Sequence, residues 1–91
     1  MSSLATAVAA PDPSVTTAFS VQARAEPGVM PRVLELFAKR GLVPQRWHSA
    51  VVPPGMRLTI DVEIAGMGRD TVEYVASCMQ QIVGVELVLT A

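Results

Sequence analysis

The 91 residues hold one histidine, one cysteine and one tryptophan, so any chemistry must be assembled from a short inventory. His48 sits in R-W-H-S-A on a candidate strand, with no cysteine, serine or carboxylate at a spacing that suggests a nucleophile and its base. Cys78 has no second cysteine and no paired histidine nearby, which excludes an internal disulfide and the ligand spacing of a zinc site. Asp61 and Glu63 stand two apart in an alternating run, so they share one face, most simply the solvated side of a strand. Trp47 is read as a core or interface anchor. No catalytic residue, metal ligand or cofactor is expected.

Binding chemistry concentrates in one stretch, Arg24 to Gly41, reading R-A-E-P-G-V-M-P-R-V-L-E-L-F-A-K-R-G. A helix that starts at a tight glycine turn points unpaired backbone N–H groups, and the positive end of its dipole, at whatever sits beside Gly28. That describes an anion pocket; on residue chemistry alone, punctuation between a strand and a helix is the simpler reading.

The elements that must hold this turn follow from the hydrophobic pattern. Residues 1–16, rich in Ser, Thr, Ala and Pro, lack periodicity and are expected to form a flexible tail, with the domain over 17–91. Phe19, Val21 and Ala23 alternate with Ser20, Gln22 and Arg24 as a first strand. Helix one is predicted from about Val29 to Arg40, with Val29, Val33, Leu36 and Phe37 on its apolar stripe and Met30 and Leu34 widening it. Pro31 falls in the first turn, where its missing N–H costs nothing, and Gly41 supplies the stop. A second strand, with ambiguous faces, is predicted from about Val43 to Val52. Met56, Leu58, Ile60, Val62 and Ile64 then alternate strictly with polar residues, which specifies a sheet with one wet face and hence antiparallel or mixed pairing. A second helix is predicted from about Arg69 to Ile82 on Val72, Val75, Met79 and Ile82, and Val85, Leu87 and Leu89 alternate with Glu86, Val88 and Thr90 as the last strand.

The order is βαββαβ, with strand, glycine turn, helix and strand occurring twice. Two such units intercalate into a ferredoxin-like α+β sandwich, with both helices on one face of a four-stranded antiparallel sheet. That fold hosts metal carriers, RNA binders, phosphatases and sensors. The missing C-x-x-C pair argues against a metal carrier, and Ser20, Gln22, Thr59 and Asp61 occupy the central strands where an RNA binder would place aromatics.

Composition narrows the partners. Seven Lys and Arg residues are scattered and offset by eight acids, so there is no basic stripe for nucleic acid. The apolar run from Leu4 to Ala10 is too short to span a bilayer and lacks a basic leader before it; the cytoplasm is the expected location, with no membrane partner. Only 16 % of residues are charged against 51 % hydrophobic, below the roughly 25 % charged of an ordinary domain. Apolar surface is therefore expected to be covered by another subunit, which would also support a small and marginal core.

E-P-G-V-M-P-R-V-L-E-L-F-A-K-R-G, followed by R-L-T-I-D-V-E-I and Q-Q-I-V-G-V-E-L-V, resembles the ACT domain of the small regulatory subunits of acetolactate synthase, over about 75 residues. R-V-L-E-L-F-A-K-R-G is the most specific part. The resemblance implies a non-catalytic subunit, of the short single-ACT type. Such a subunit forms a homodimer through its ACT sheets and supports the catalytic large subunit of a thiamine-diphosphate-dependent acetolactate synthase in branched-chain amino-acid biosynthesis. It also implies that any small amino acid would bind around Glu26, Pro27, Gly28, Val29, Met30 and Val43. Where valine-sensing relatives carry asparagines, this chain has Ala25 and Val43, which cannot replace the amide donors and acceptors; valine sensing is expected to be weak or lost. A stand-alone ACT sensor that controls a different enzyme or regulator is the alternative. An acylphosphatase-like enzyme would need a positioned Asn, and the sequence contains none.

Overall fold

The computed structural model describes residues 15–91. Residues 1–14 of the expected tail lie outside the described residues, and Thr16 already belongs to the first strand. The elements are β1 (Thr16–Arg24), α1 (Val29–Ala38), β2 (Arg46–Val52), β3 (Arg57–Ala65), α2 (Arg69–Gln80) and β4 (Val85–Thr90). The strands form one sheet in the order β2-β3-β1-β4, and each neighbouring pair is antiparallel. This is the ferredoxin-like βαββαβ arrangement that the alternation predicts.

The sheet is built on the pairing of β1 with β3. Their register sets Phe19 opposite Val62, Val21 opposite Ile60 and Ala23 opposite Leu58, so the apolar residues of both strands fall in adjacent columns on one face. Both helices cover that face. Val29, Val33 and Phe37 of α1 and Val75 and Met79 of α2 are fully buried against it, and the Phe19 and Phe37 rings lie 5.8 Å apart between centroids, tilted at 51°. At that spacing the edge of one ring meets the other, an arrangement favoured by the ring quadrupoles.

Four local expectations are corrected. β2 starts at Arg46 and not near Val43, because residues before it are used to close α1. Leu42 N–H donates to the Phe37 carbonyl at 3.0 Å and Gly41 N–H to the Ala38 carbonyl at 3.0 Å, with Gly41 at φ 68°. That is a Schellman closure, and half-buried Leu42 makes the hydrophobic contact that accompanies it. Leu34, placed on the apolar stripe by periodicity, points outward at 42 % exposure. Met56 lies outside β3, in the hairpin turn, with a left-handed φ of 52° and 60 % exposure.

The fourth difference concerns β4. Its pairing with β1 slips between Gln22 and Ala23, a bulge that leaves Glu86 without an opposite residue. Val85 and Val88 consequently pack against the core, while Leu87 and Leu89 stand on the opposite face at 41 % and 53 % exposure. Simple alternation would have put Val85, Leu87 and Leu89 together.

Phe37→Ala removes the side chain that joins α1 to β1 and should lower the unfolding free energy by about 3–5 kcal/mol, a large share of the ~5–15 kcal/mol typical of a domain. Urea denaturation measures this; a loss below about 1 kcal/mol would show that the ring is not the centre of the core.

Candidate functional site

Three turns meet at one end of the sheet: residues 25–28 between β1 and α1, 53–56 between β2 and β3, and 81–84 between α2 and β4. Backbone hydrogen bonds tie them together. Arg24 N–H donates to the Gly84 carbonyl at 2.9 Å, and Ala25 N–H to the Met56 carbonyl at 3.1 Å. Within the first turn, Val29 N–H donates to the Glu26 carbonyl at 3.2 Å and Glu26 N–H to the Arg24 carbonyl at 2.8 Å. The Glu26 carboxylate accepts from Arg24 Nε at 2.9 Å, a partly exposed pair that orients the side chain more than it stabilises the fold.

The residues singled out in sequence divide among three environments. Glu26, Pro27 and Met30 line a small cavity of about 190 Å3 together with Ala25, Val51 and Leu58. Val29 is fully buried in the core and holds the turn from beneath. Gly28 opens instead onto a shallow hollow with Pro31, Arg32 and Glu35 on the outer side of α1. Val43, 80 % exposed in the connection before β2, lines neither. Val51 and Leu58 join the cavity without any signal near the turn, since only the β2–β3 hairpin brings them there.

The anion chemistry of the helix start is reduced. Pro27 and Pro31 have no N–H, and Val29 N–H is already engaged, so Gly28 and Met30 supply the backbone donors without a backbone partner in that turn. The Arg32 guanidinium covers Gly28: a Cβ built there would come within 1.9 Å of Arg32 Nη1. Gly28 itself has φ −81° and ψ −9°, which any residue adopts, so the turn does not demand glycine for its backbone. The glycine that the corner does demand is Gly84. Its φ is 100°, and a Cβ there would meet Glu26 Oε1 at 3.2 Å and Val29 Cγ2 at 3.3 Å. Gly84 thus lets the third turn close over the first, a role invisible until the two are seen in contact.

The cavity is walled mainly by aliphatic atoms and flanks Val51 on edge strand β2, while the Glu26 carboxylate is engaged by Arg24 Nε at 2.9 Å and lies against the Gly84 turn. At about 190 Å3 it falls below the ~300 Å3 usual for a closed small-molecule site, so a further surface is needed to enclose a ligand.

A family model described as ACT-like domain matches residues 10–90. The chain belongs to the ACT-like domain family. Solved structures agree on the fold. The ACT domain of GTP pyrophosphokinase from Chlorobium tepidum superposes with a TM-score of 0.70 at 10 % identity, covering 84 % of this chain and 96 % of that one. An uncharacterized protein from Thermotoga maritima gives 0.68 at 17 % identity, with 84 % and 92 % covered. A formyltetrahydrofolate deformylase from Pseudomonas putida gives 0.67 at 14 % identity, covering 85 % of this chain but 28 % of the enzyme. No curated protein matches the sequence. ACT-like domains are small-molecule regulatory modules and not catalysts, although some fold neighbours sit in enzymes. Among the described residues of this ACT-like domain, no helix is long and apolar enough to cross a membrane, and no group of three or more His, Cys, Asp or Glu could hold a metal.

The two turn glycines should respond unequally to alanine. Gly84→Ala forces a left-handed residue against Glu26 and Val29 and should cost about 1–3 kcal/mol, whereas Gly28→Ala only displaces the flexible end of Arg32 and should stay within about 0.5 kcal/mol. Equal losses in denaturant melts would contradict this assignment.

Proposed function

We propose that this ACT-like domain is a non-catalytic regulatory subunit that acts as a homodimer on a partner enzyme in the cytoplasm, with weak or lost binding of a small amino acid at the β1–α1 corner. The observation that carries the reading is the cavity itself, apolar, half-open and set beside an edge strand. A second copy pairing along β2 would satisfy that strand's free backbone groups and wall the cavity at Val51. The exposed apolar residues Val51 and Val52, at 49 % and 45 %, lie on that strand.

The partner proposed is the catalytic large subunit of a thiamine-diphosphate-dependent acetolactate synthase in branched-chain amino-acid biosynthesis. Its support is the sequence resemblance carried by R-V-L-E-L-F-A-K-R-G, which runs from Arg32 in the first turns of α1 to Gly41 at its stop. Valine sensing is weak in this reading because the corner offers Ala25 where a gripping amide is expected and leaves Val43 outside it. The same absence favours a second reading, a stand-alone sensor for a different small molecule that controls another enzyme or regulator.

Light scattering should show a concentration-dependent dimer, and Val51→Lys at the β2 edge should shift it towards monomer; a monomer at all concentrations excludes the assembly. Millimolar valine should move the melting temperature by less than about 1 °C, and a rise of several degrees would show that the corner grips valine without asparagine. Mixing with the large subunit from the same organism should give a complex with raised acetolactate synthase activity. If neither complex nor activation is seen, that partner is excluded.

A further inference from the structure

The sheet face turned away from the helices has a trough in it. On this face central strand β1 carries its smallest residues, Ala18 and Ser20, while its neighbours carry Leu89 on β4 and Asp61 and Glu63 on β3. Adjacent strands lie about 4.8 Å apart, so the two walls stand roughly 10 Å from each other over a floor of very short side chains. The next outward residue of β1 is the longer Gln22, and beyond it the Arg24–Glu26 pair; in the other direction the trough runs past Ala91. Its volume is about 530 Å3, inside the ~300–1,000 Å3 range of small-ligand sites and larger than the corner cavity.

The charges of this face are nearly all matched. Arg24 pairs with Glu26 at 2.9 Å, Arg46 with Glu63 at 3.8 Å, and Arg57 with Glu86. Asp61 has no ion-pair or hydrogen-bond partner among the described residues; its cross-strand neighbours are Ser20 on β1 and His48 on β2. The trough therefore sets one uncompensated carboxylate opposite the aliphatic wall of Leu89.

We propose that this trough binds a small aliphatic ammonium compound, its cation on Asp61 and its hydrocarbon body along Leu89 and Ala18. An anion would face the unmatched Asp61, while Arg46, the one cation among the described residues lining the trough, is already engaged by Glu63 at 3.8 Å. A purely apolar molecule would desolvate Asp61 without compensating it, which is unfavourable. A polycation would find a single unmatched carboxylate. The trough lies on the opposite face of the sheet, and at the opposite end of β1, from the corner cavity, so this site is independent of the regulatory reading and either can fail without the other.

The test is titration of n-hexylammonium into the full isotopically labelled chain, followed by backbone amide shifts, with n-hexanol and hexanoate as matched controls. Saturable shifts should centre on residues 18–20, 61–63 and 89–91 with hexylammonium, with at least about threefold weaker binding for hexanol and none for hexanoate. Asp61→Asn should weaken hexylammonium at least about threefold without altering hexanol binding. Leu89→Ser should weaken both compounds, and each variant's denaturation midpoint reports whether it folds. Equal binding of hexanol and hexylammonium, an unaffected Asp61→Asn, shifts centred on residues 25–30, or no saturation would each overturn the site.

Discussion

Everything in this fold hangs on the register between β1 and β3. Nine residues of each strand pair without a break, from Thr16 opposite Ala65 to Arg24 opposite Arg57, and that pairing puts two apolar columns side by side. A slip of one residue would turn Phe19, Val21 and Ala23 to solvent and leave α1 and α2 without a surface to bury against. The flanking strands are less constrained, and they deviate. β4 slips by a bulge and β2 buries little.

That hierarchy explains where the candidate sites fall. The ends of the well-paired strands fix the positions of three turns, and the turns lock through Arg24 N–H on Gly84 and Ala25 N–H on Met56. The corner is therefore rigid in its backbone while its lining is generic: aliphatic side chains with one carboxylate already held by Arg24. A pocket of this kind selects by shape, and in the proposed dimer the copy that pairs along β2 would complete it. Membership of the ACT-like family fits a regulatory module, and a lining without side-chain amides offers few donors and acceptors to a free amino acid.

The outer face follows from the same economy. Because the large residues of β1 face the core, the other side near its start shows only Thr16, Ala18 and Ser20, and the neighbouring strands rise above Ala18 and Ser20. The β4 bulge then turns Leu87 and Leu89 outward. A groove with an aliphatic wall and a carboxylate wall is thus a by-product of how the core was filled, and its depth is set by differences in side-chain length across three strands.

The sequence by itself determined the elements and their inward faces wherever periodicity was strong. The columns of β1 and β3, the Val29, Val33 and Phe37 stripe and the Gly41 stop can all be read from spacing, because a buried face imposes a period of two or 3.6 on local residue types. The site was only partly legible. The resemblance pointed to Glu26, Pro27 and Met30, which line the corner cavity, but Val51, Leu58 and Gly84 are remote in sequence, and contact between turns is a property of the closed sheet. The start of β2 and the facing of Leu87 and Leu89 were likewise decided by tertiary structure. A Schellman closure and a β-bulge each consume residues that local alternation assigns to a strand face. Gly28 shows the limit most clearly: its place in the turn was evident from sequence, yet its backbone is ordinary, and the positive φ and close approach that require glycine belong to Gly84 across the corner.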